Sequence, residues 1–379
     1  MKLLYVIDSL APGGAEMSLA EMAPALVAAG IDLHVVPLGS RLDLKERLEE
    51  AGAQVHVGSG PRSRSAFVRR VAALIDVLRP DLVHTTLFEA DISGRVAARL
   101  KSTPSSTSLV GDTYGRRPAS NIARAKLRAA RTLDQATARF ACRFHAVSEH
   151  LASSAHSHLS ISRGKIHVIP RGREQARFPF QPAGVREAIR DGLGLPIETP
   201  VVIAVGRLEP VKGLLYLIDA LPILRQLVPD VHLLVAGKDG AAGPEIRAAA
   251  AASGAPVTFL GHRTDVAELL VAADVLAFPS LSEGSPGTII EAMASGCPIV
   301  ASAIPPNLEV LGGHEIGIAT PVADSQRIAH ALASVLTGSA DVEAMVRKGR
   351  ERFLESFEMA AVAARMSDFF FAAAAEGNR

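Results

Sequence analysis

Short apolar runs alternate with longer helical patterns in two successive series along one chain, and this alternation limits the fold more than any other feature. The first series reads as strands at 3–8, 33–38, 54–57, 82–85, 108–111, 144–147 and 166–169. The second reads as strands at 201–205, 232–236, 257–260, 275–278, 299–301 and 317–319. Runs this short and this apolar suit strands buried on both faces, and strands separated by helices pair in parallel. The stretch 171–200, rich in Pro, Gly and charge, breaks the rhythm and reads as an interdomain connection followed by an entry helix. The expectation is an α/β protein of two Rossmann-like, doubly wound domains at 1–180 and 181–355, with a terminal helix over 356–379. Pro222 falls inside the helix after Lys212 and is expected to kink it.

With 379 residues and 48% hydrophobic content, the chain has the material for two cores and is not disordered. The two cysteines, Cys142 and Cys297, are far apart and form neither a metal spacing nor a disulfide framework, which fits a reducing compartment. The opening MKLLYVIDSLAPGG has only a short apolar run before Asp8, so it reads as a first strand rather than a signal peptide. No stretch approaches the ~20 apolar residues of a membrane span. A soluble or peripheral protein is expected.

The segment Pro279 to Pro298, PSLSEGSPGTIIEAMASGCP, carries the most chemistry. Ser285 reads as an N-cap and Pro286 as the first helical residue, with Gly296 and Pro298 closing the helix. A helix start offers backbone N–H groups and a positive dipole end, so Ser285, Pro286, Gly287 and Thr288 form a candidate phosphate site. Glu291 lies five residues past Pro286, about 7.5 Å along the axis, roughly the reach from a diphosphate to a sugar ring. Carboxylates accept paired hydrogen bonds from vicinal hydroxyls, so Glu291 suits a ribose and Glu283 a sugar beyond the phosphates. A capped helix bearing one exposed Glu is the plainer alternative.

A second candidate anion site lies upstream in VVIAVGRLEPVKGLLYLIDAL. The apolar run 201–205 ends at Gly206, and Arg207 and Lys212 occupy the loop before the next helix. Ligands of open α/β sheets bind at the carboxyl ends of strands, where Arg can grip a phosphate bidentately and Lys supplies a point charge. Two basic residues in a loop are otherwise a solvated surface. In the first half, GGAE follows the first strand and opens a helix, so Gly13 and Gly14 allow close approach of a bound group. This is not the GxGxxG dinucleotide fingerprint, which removes the main support for a nicotinamide enzyme.

Together these residues resemble the family 4 glycosyltransferases, which retain anomeric configuration, use nucleotide sugars and have the two-domain GT-B fold. The resemblance rests on GRLEPVKG (206–213), LVAGKDG (234–240), FLGH (259–262) and EGSPGTIIEAMASGCPIVAS (283–302). It continues in APGGAE (11–16), DLVHTTLFEADISGRVAARL (81–100), AVSEHLA (146–152) and KIHVIPRG (165–172), and so covers nearly the whole chain. It implies two domains facing a cleft, a terminal helix crossing back onto the first domain, and transfer from a UDP- or GDP-linked donor to a hydroxyl of a glycan or lipid-linked acceptor. Cleavage of the donor leaves negative charge on the diphosphate, which calls for preorganised cations and N–H donors. Arg207, Lys212 and Glu283 are the catalytic candidates. Gly13, Gly14, Arg207, Lys212, Ser285, Pro286, Gly287, Thr288 and Glu291 are the candidates for donor binding, and 261–263 for the base. No Asp-x-Asp occurs, so neither a metal ion nor a cofactor is expected.

Three stretches depart from the family pattern. Where members place a His after the fifth strand, this chain has Gly111 and Asp112; the linker Asn is Arg171; an Asp-Val-Gly-Gly stretch reads Ala303, Ile304, Pro305, Pro306. His84 does match, although a lone His on a strand is more often structural. Rival readings are a same-fold epimerase, phosphorylase or sugar-phosphate synthase, and a non-catalytic scaffold that binds a partner or membrane.

Charge is unevenly divided. Residues 1–190 carry 27 Lys+Arg against 17 Asp+Glu, and residues 191–379 carry 13 against 22. Much of the excess lies in the runs 62–70 and 116–131, and the second can form a basic amphipathic helix. Such a helix can lie on the anionic inner face of the plasma membrane or can simply be a solvated flank. The cytoplasm, with peripheral membrane contact, is the expected location. Aromatic residues make up only 4% of the chain, too few for base-stacking platforms, so nucleic acid is not an expected partner.

Overall fold

The computed structural model describes residues 1–58, 63–115, 121–313 and 315–377. The chain divides into two compact units, one formed by Met1–Gly172 with Met359–Arg379 and the other by Arg173–Glu358. The boundary thus falls at 172/173 and 358/359 rather than at 180 and 355.

The first unit holds strands β1 (Lys2–Ile7), β2 (Asp32–Pro37), β3 (Gln54–Val55), β4 (Leu82–Thr86), β5 (Ser105–Leu109), β6 (Arg143–Ala146) and β7 (Ile166–Val168). They form one parallel sheet in the order β3-β2-β1-β4-β5-β6-β7. The order reverses between β1 and β4, so the sheet is doubly wound and its crevice opens at the carboxyl ends of those two strands. On one face, Leu3, Tyr5 and Ile7 pack with the helix Gly14–Ala28 and with Val362, Met366, Phe369 and Phe370 of the helix Met359–Gly377. Phe370 is fully buried, which stabilises the unit by roughly 1.5–3 kcal/mol. A helix separated from Gly172 by the 186 residues of Arg173–Glu358 therefore completes this core.

The second unit holds β8 (Val201–Val205), β9 (His232–Ala236), β10 (Val257–Gly261), β11 (Val275–Phe278), β12 (Ile299–Ser302) and β13 (Ile318–Thr320). These too are all parallel, in the order β10-β9-β8-β11-β12-β13, with the reversal between β8 and β11. Both faces are covered: Leu217, Leu221 and Leu224 of the helix Leu214–Leu227 pack on one, and Ile289, Ile290 and Met293 of the helix Gly287–Ser295 on the other. Helix Leu214–Leu227 runs on past Pro222 as one element. Burial of Ile218, Leu221 and Leu224 on either side of the proline holds the two turns together, offsetting the lost backbone bond.

Strand β5 begins three residues earlier than the sequence suggested, and its composition, SSTSL, explains why. Its side chains are buried yet polar, paired rather than apolar. His145 Nε2 lies 2.8 Å from the Ile169 carbonyl and so donates to it, which leaves Nδ1 to accept from Ser108 Oγ at 2.8 Å. Ser108 then accepts from His84 Nε2 at 2.8 Å, and His84 Nδ1 accepts from Ser106 Oγ at 2.8 Å. His84 is fully buried against Phe370 and is held well below the usual histidine range by desolvation. Its role is structural.

Candidate functional site

In the second unit, the loops that follow β8 and β11 meet beside the strand reversal and position most of the expected residues. Lys212 ends a short turn, Pro210–Lys212, and its Nζ donates to Glu283 Oε1 at 2.6 Å. The ammonium also stands 5.5 Å from the centroid of Phe278, the last residue of β11, a cation–π contact that fixes its direction. Both side chains remain partly accessible, Lys212 at 24% and Glu283 at 12%. An ion pair in that condition can exchange partners with an arriving ligand.

The helix after this loop differs from the expectation at its start. It spans Gly287–Ser295, its N-cap is Pro286, and no side chain caps it. Ser285 is therefore not the capping residue: its Oγ is buried without a hydrogen-bond partner among the described residues, and its carbonyl accepts from Gly287 N–H at 3.0 Å. Pro286, at φ −80° and ψ 82°, is too extended to be helical, and the tight Ser285–Gly287 bond is what turns the chain into the helix. That bond also engages the Gly287 N–H, one of the donors assigned to phosphate. The far end is as read, with Gly296 in the left-handed region at φ 76°.

Glu291 lies on the face of this helix that also carries Gly287, four residues earlier. Its Oε1 accepts from Arg173 Nε at 2.8 Å, with the two side chains only 13% and 16% exposed. The Arg173 guanidinium is so close to Gly287 that a Cβ there would collide with it. Sequence reasoning missed Arg173, because its partner lies 118 residues away and nothing local marks the pairing. Arg207 is placed differently from the rest. Its side chain is 71% exposed and reaches Glu209 Oε1 at 3.8 Å, not the Lys212–Glu283 pair.

Gly13 and Gly14 belong to the first unit. Gly13 is the uncapped N-cap of the helix Gly14–Ala28, and the Arg171 guanidinium lies against Gly14, where a Cβ would sit 2.7 Å from its NH1. This helix start forms one wall of a cavity of about 460 Å³ at the carboxyl ends of β1, β4 and β5. Asp91, Asp112, Tyr114 and Arg171 line it, with Gly111, so the positions that replace the family His sit on its wall. Burial, only partly offset by Arg95, pushes the Asp91 carboxyl up to about 8, and burial with Asp134 pushes the Tyr114 hydroxyl upward. Asp8 accepts from the N–H groups of Ala90 and Glu89 at 2.7 and 3.4 Å, and burial raises its carboxyl as well. Among the described residues, no three His, Cys, Asp or Glu side chains cluster as metal ligands, and no helix is long and apolar enough to cross a membrane.

Two family descriptions match, Glycosyltransferase Family 4 over residues 12–177 and Glycosyl transferases group 1 over residues 185–352. The chain belongs to the family 4 glycosyltransferases. Its fold is accordingly GT-B: the solved structure of Anabaena HepE in complex with UDP superposes with a TM-score of 0.86, 22% identity, and coverage of 98% of this chain and 100% of that one. The phosphatidyl-myo-inositol mannosyltransferase of Mycobacterium leprae is 32% identical over 190 residues, 49% of this chain and 50% of the relative. The 2-deoxystreptamine glucosyltransferase of Streptomyces kanamyceticus is 26% identical over 367 residues, 90% of this chain and 94% of the relative. The chain spans about half the length of the mannosyltransferase and of the D-inositol 3-phosphate glycosyltransferases that it matches.

Proposed function

We propose that the protein transfers a glycosyl group from a UDP- or GDP-linked sugar to a hydroxyl of a glycan or lipid-linked acceptor, with retention of anomeric configuration and without a metal ion. The observation that carries this reading is the Lys212–Glu283 pair at 2.6 Å, built from two loops beside the strand reversal of the second unit. Rupture of the donor bond puts charge on the departing diphosphate, and a preorganised ammonium there stabilises the transition state more than the ground state. Lys212 takes that role, with the exposed Arg207 folding onto the outer phosphate. Glu283 turns from Lys212 to the sugar hydroxyls, and Glu291 takes the ribose hydroxyls. The helix start at 285–288 contributes its dipole.

The cavity of the first unit, with Gly14 on its wall, supports acceptor binding there. The acceptors named for two relatives, a phosphatidyl-inositol and 2-deoxystreptamine, are both cyclic polyols or carry one, which supports a ring hydroxyl as the group glycosylated. The helix Asn121–Ala138 exposes Arg124, Lys126 and Arg128. Each basic residue near an anionic surface adds about 1 kcal/mol, which supports a cytoplasmic enzyme working at the inner membrane face. The head of the predicted basic run, 116–120, and Arg62 lie outside the described residues.

The test is turnover of a panel of UDP- and GDP-sugars with polyol and lipid acceptors in EDTA, the product's anomeric configuration being read by NMR. The expected result is acceptor-dependent release of nucleoside diphosphate with the donor's configuration preserved. Inversion would contradict the mechanism, and a sugar altered without acceptor would make the protein an epimerase. Failure to bind any donor would leave only a scaffold.

A further inference from the structure

The candidate charges read from the sequence do not balance. Around the helix start Gly287–Ser295 they supply Lys212 and the carboxylates Glu283 and Glu291, while Arg207 is turned toward Glu209. Until Arg207 leaves Glu209, an anion arriving at this helix would meet more carboxylates than cations, and the repulsion would act in a partly desolvated site, where it is poorly screened. Arg173 corrects the balance. Its backbone is fixed by donation from its N–H to the Phe357 carbonyl at 2.8 Å and by a bridge to Glu358, so the side chain starts from a rigid base. From there it lies against the first turn of the helix. Nε takes Glu291 Oε1 at 2.8 Å, and the NH2 end stands over Gly287, which has no side chain to displace it.

A guanidinium has five donors in a rigid fork, so one edge can hold a carboxylate while another faces a phosphate. Here Nε is given to Glu291, and Nη2 lies against Gly287 in the first turn, where a helix start can seat a phosphate oxygen. We propose that Arg173 is a donor-binding residue that does two things at once: it fixes the Glu291 carboxylate for the ribose and presents a cation to the diphosphate. This rests on the donor-site reading given above and adds to it a residue that the linker sequence does not announce.

The test measures binding of UDP and GDP by calorimetry, and of uridine and guanosine by saturation-transfer NMR, to the full chain and to Arg173→Gln and Arg173→Lys. Nucleosides carry the base and ribose without phosphate, so a residue acting only through Glu291 weakens nucleoside and diphosphate alike. With R173Q the dissociation constant of the diphosphate that binds wild type is expected to rise at least tenfold more than that of its nucleoside. R173K, which keeps the charge without the fork, is expected to retain diphosphate binding within about threefold of wild type, and it alone carries the test if R173Q does not fold. Equal losses for diphosphate and nucleoside, or an unchanged diphosphate affinity in R173Q, overturn the role. So does a diphosphate loss in R173K greater than about tenfold. A wild-type chain that binds neither UDP nor GDP brings down the donor-site reading itself, which separates the two failures.

Discussion

Each unit carries a set of paired charges beside the carboxyl ends of its strands, and the two sets are built for opposite ends. In the first unit Arg95 is fully buried, its NH1 2.6 Å from Asp134 and its NH2 3.7 Å from Asp91, with Thr107 accepting from Nε at 2.9 Å. In the second unit the pairs Lys212–Glu283 and Arg173–Glu291 keep between 12% and 24% of each side chain accessible. A charge that water cannot reach serves the fold, because it has no way to trade its partner. One that water can reach is able to give up its partner to a ligand. Burial, more than the presence of a salt bridge, separates scaffold from site.

The sharpest way to break this contrast is Arg95→Ala. Removing one member of a buried pair leaves the other charge uncompensated, so a loss of roughly 3–5 kcal/mol is expected in denaturant unfolding. A variant as stable as wild type would show that the first set is no more structural than the second. Lys212→Ala is the mirror experiment. Turnover should fall about 10²–10³-fold, equivalent to about 2.7–4 kcal/mol, while stability changes by less than about 1 kcal/mol. A stability loss like that of Arg95→Ala, without a turnover defect, would erase the distinction from the other side.

The smallest effect concerns acid. Burial lowers the His145 imidazole from its usual value near 6.5 to about 4 in the folded chain, although its bond to Ile169 opposes the shift. A depressed pKa means the unfolded state binds the proton first as pH falls. The stability it contributes is therefore present above pH 6.5 and is lost as pH drops toward 4, by up to about 1.4 kcal/mol per pH unit for one proton. Melting curves between those limits should flatten in His145→Gln. An identical slope in the variant would mean that His145 is not among the groups that take up protons on unfolding.

Much of the architecture was legible because the second sheet is built from uninterrupted apolar runs: strands 201–205, 232–236 and 275–278 begin and end where the sequence places them. Strand β5 was misplaced for the converse reason, since a buried strand made of Ser and Thr looks like a loop until its hydrogen-bond partners are known. The chemistry divided along the same line. Lys212, Glu283 and Glu291 stood out because they sit in loops and on a helix whose local pattern points at an anion. Ser285 misled because its cap-like position is overridden by its own carbonyl, which closes the turn through Gly287. Arg173 could not be found, since its significance is created by folding across 118 residues.

The helix Met359–Gly377 carries Phe369 and Phe370 into a core otherwise made by residues before 173. On a ribosome, the earlier-made half of that core must therefore wait while the whole of Arg173–Glu358 is synthesised. During this interval the hydrophobic patch that will receive Phe369 and Phe370 stands open, which makes a holding chaperone useful to the nascent chain. Release of the growing polypeptide before position 370 would yield a folded second unit tethered to an aggregation-prone first one.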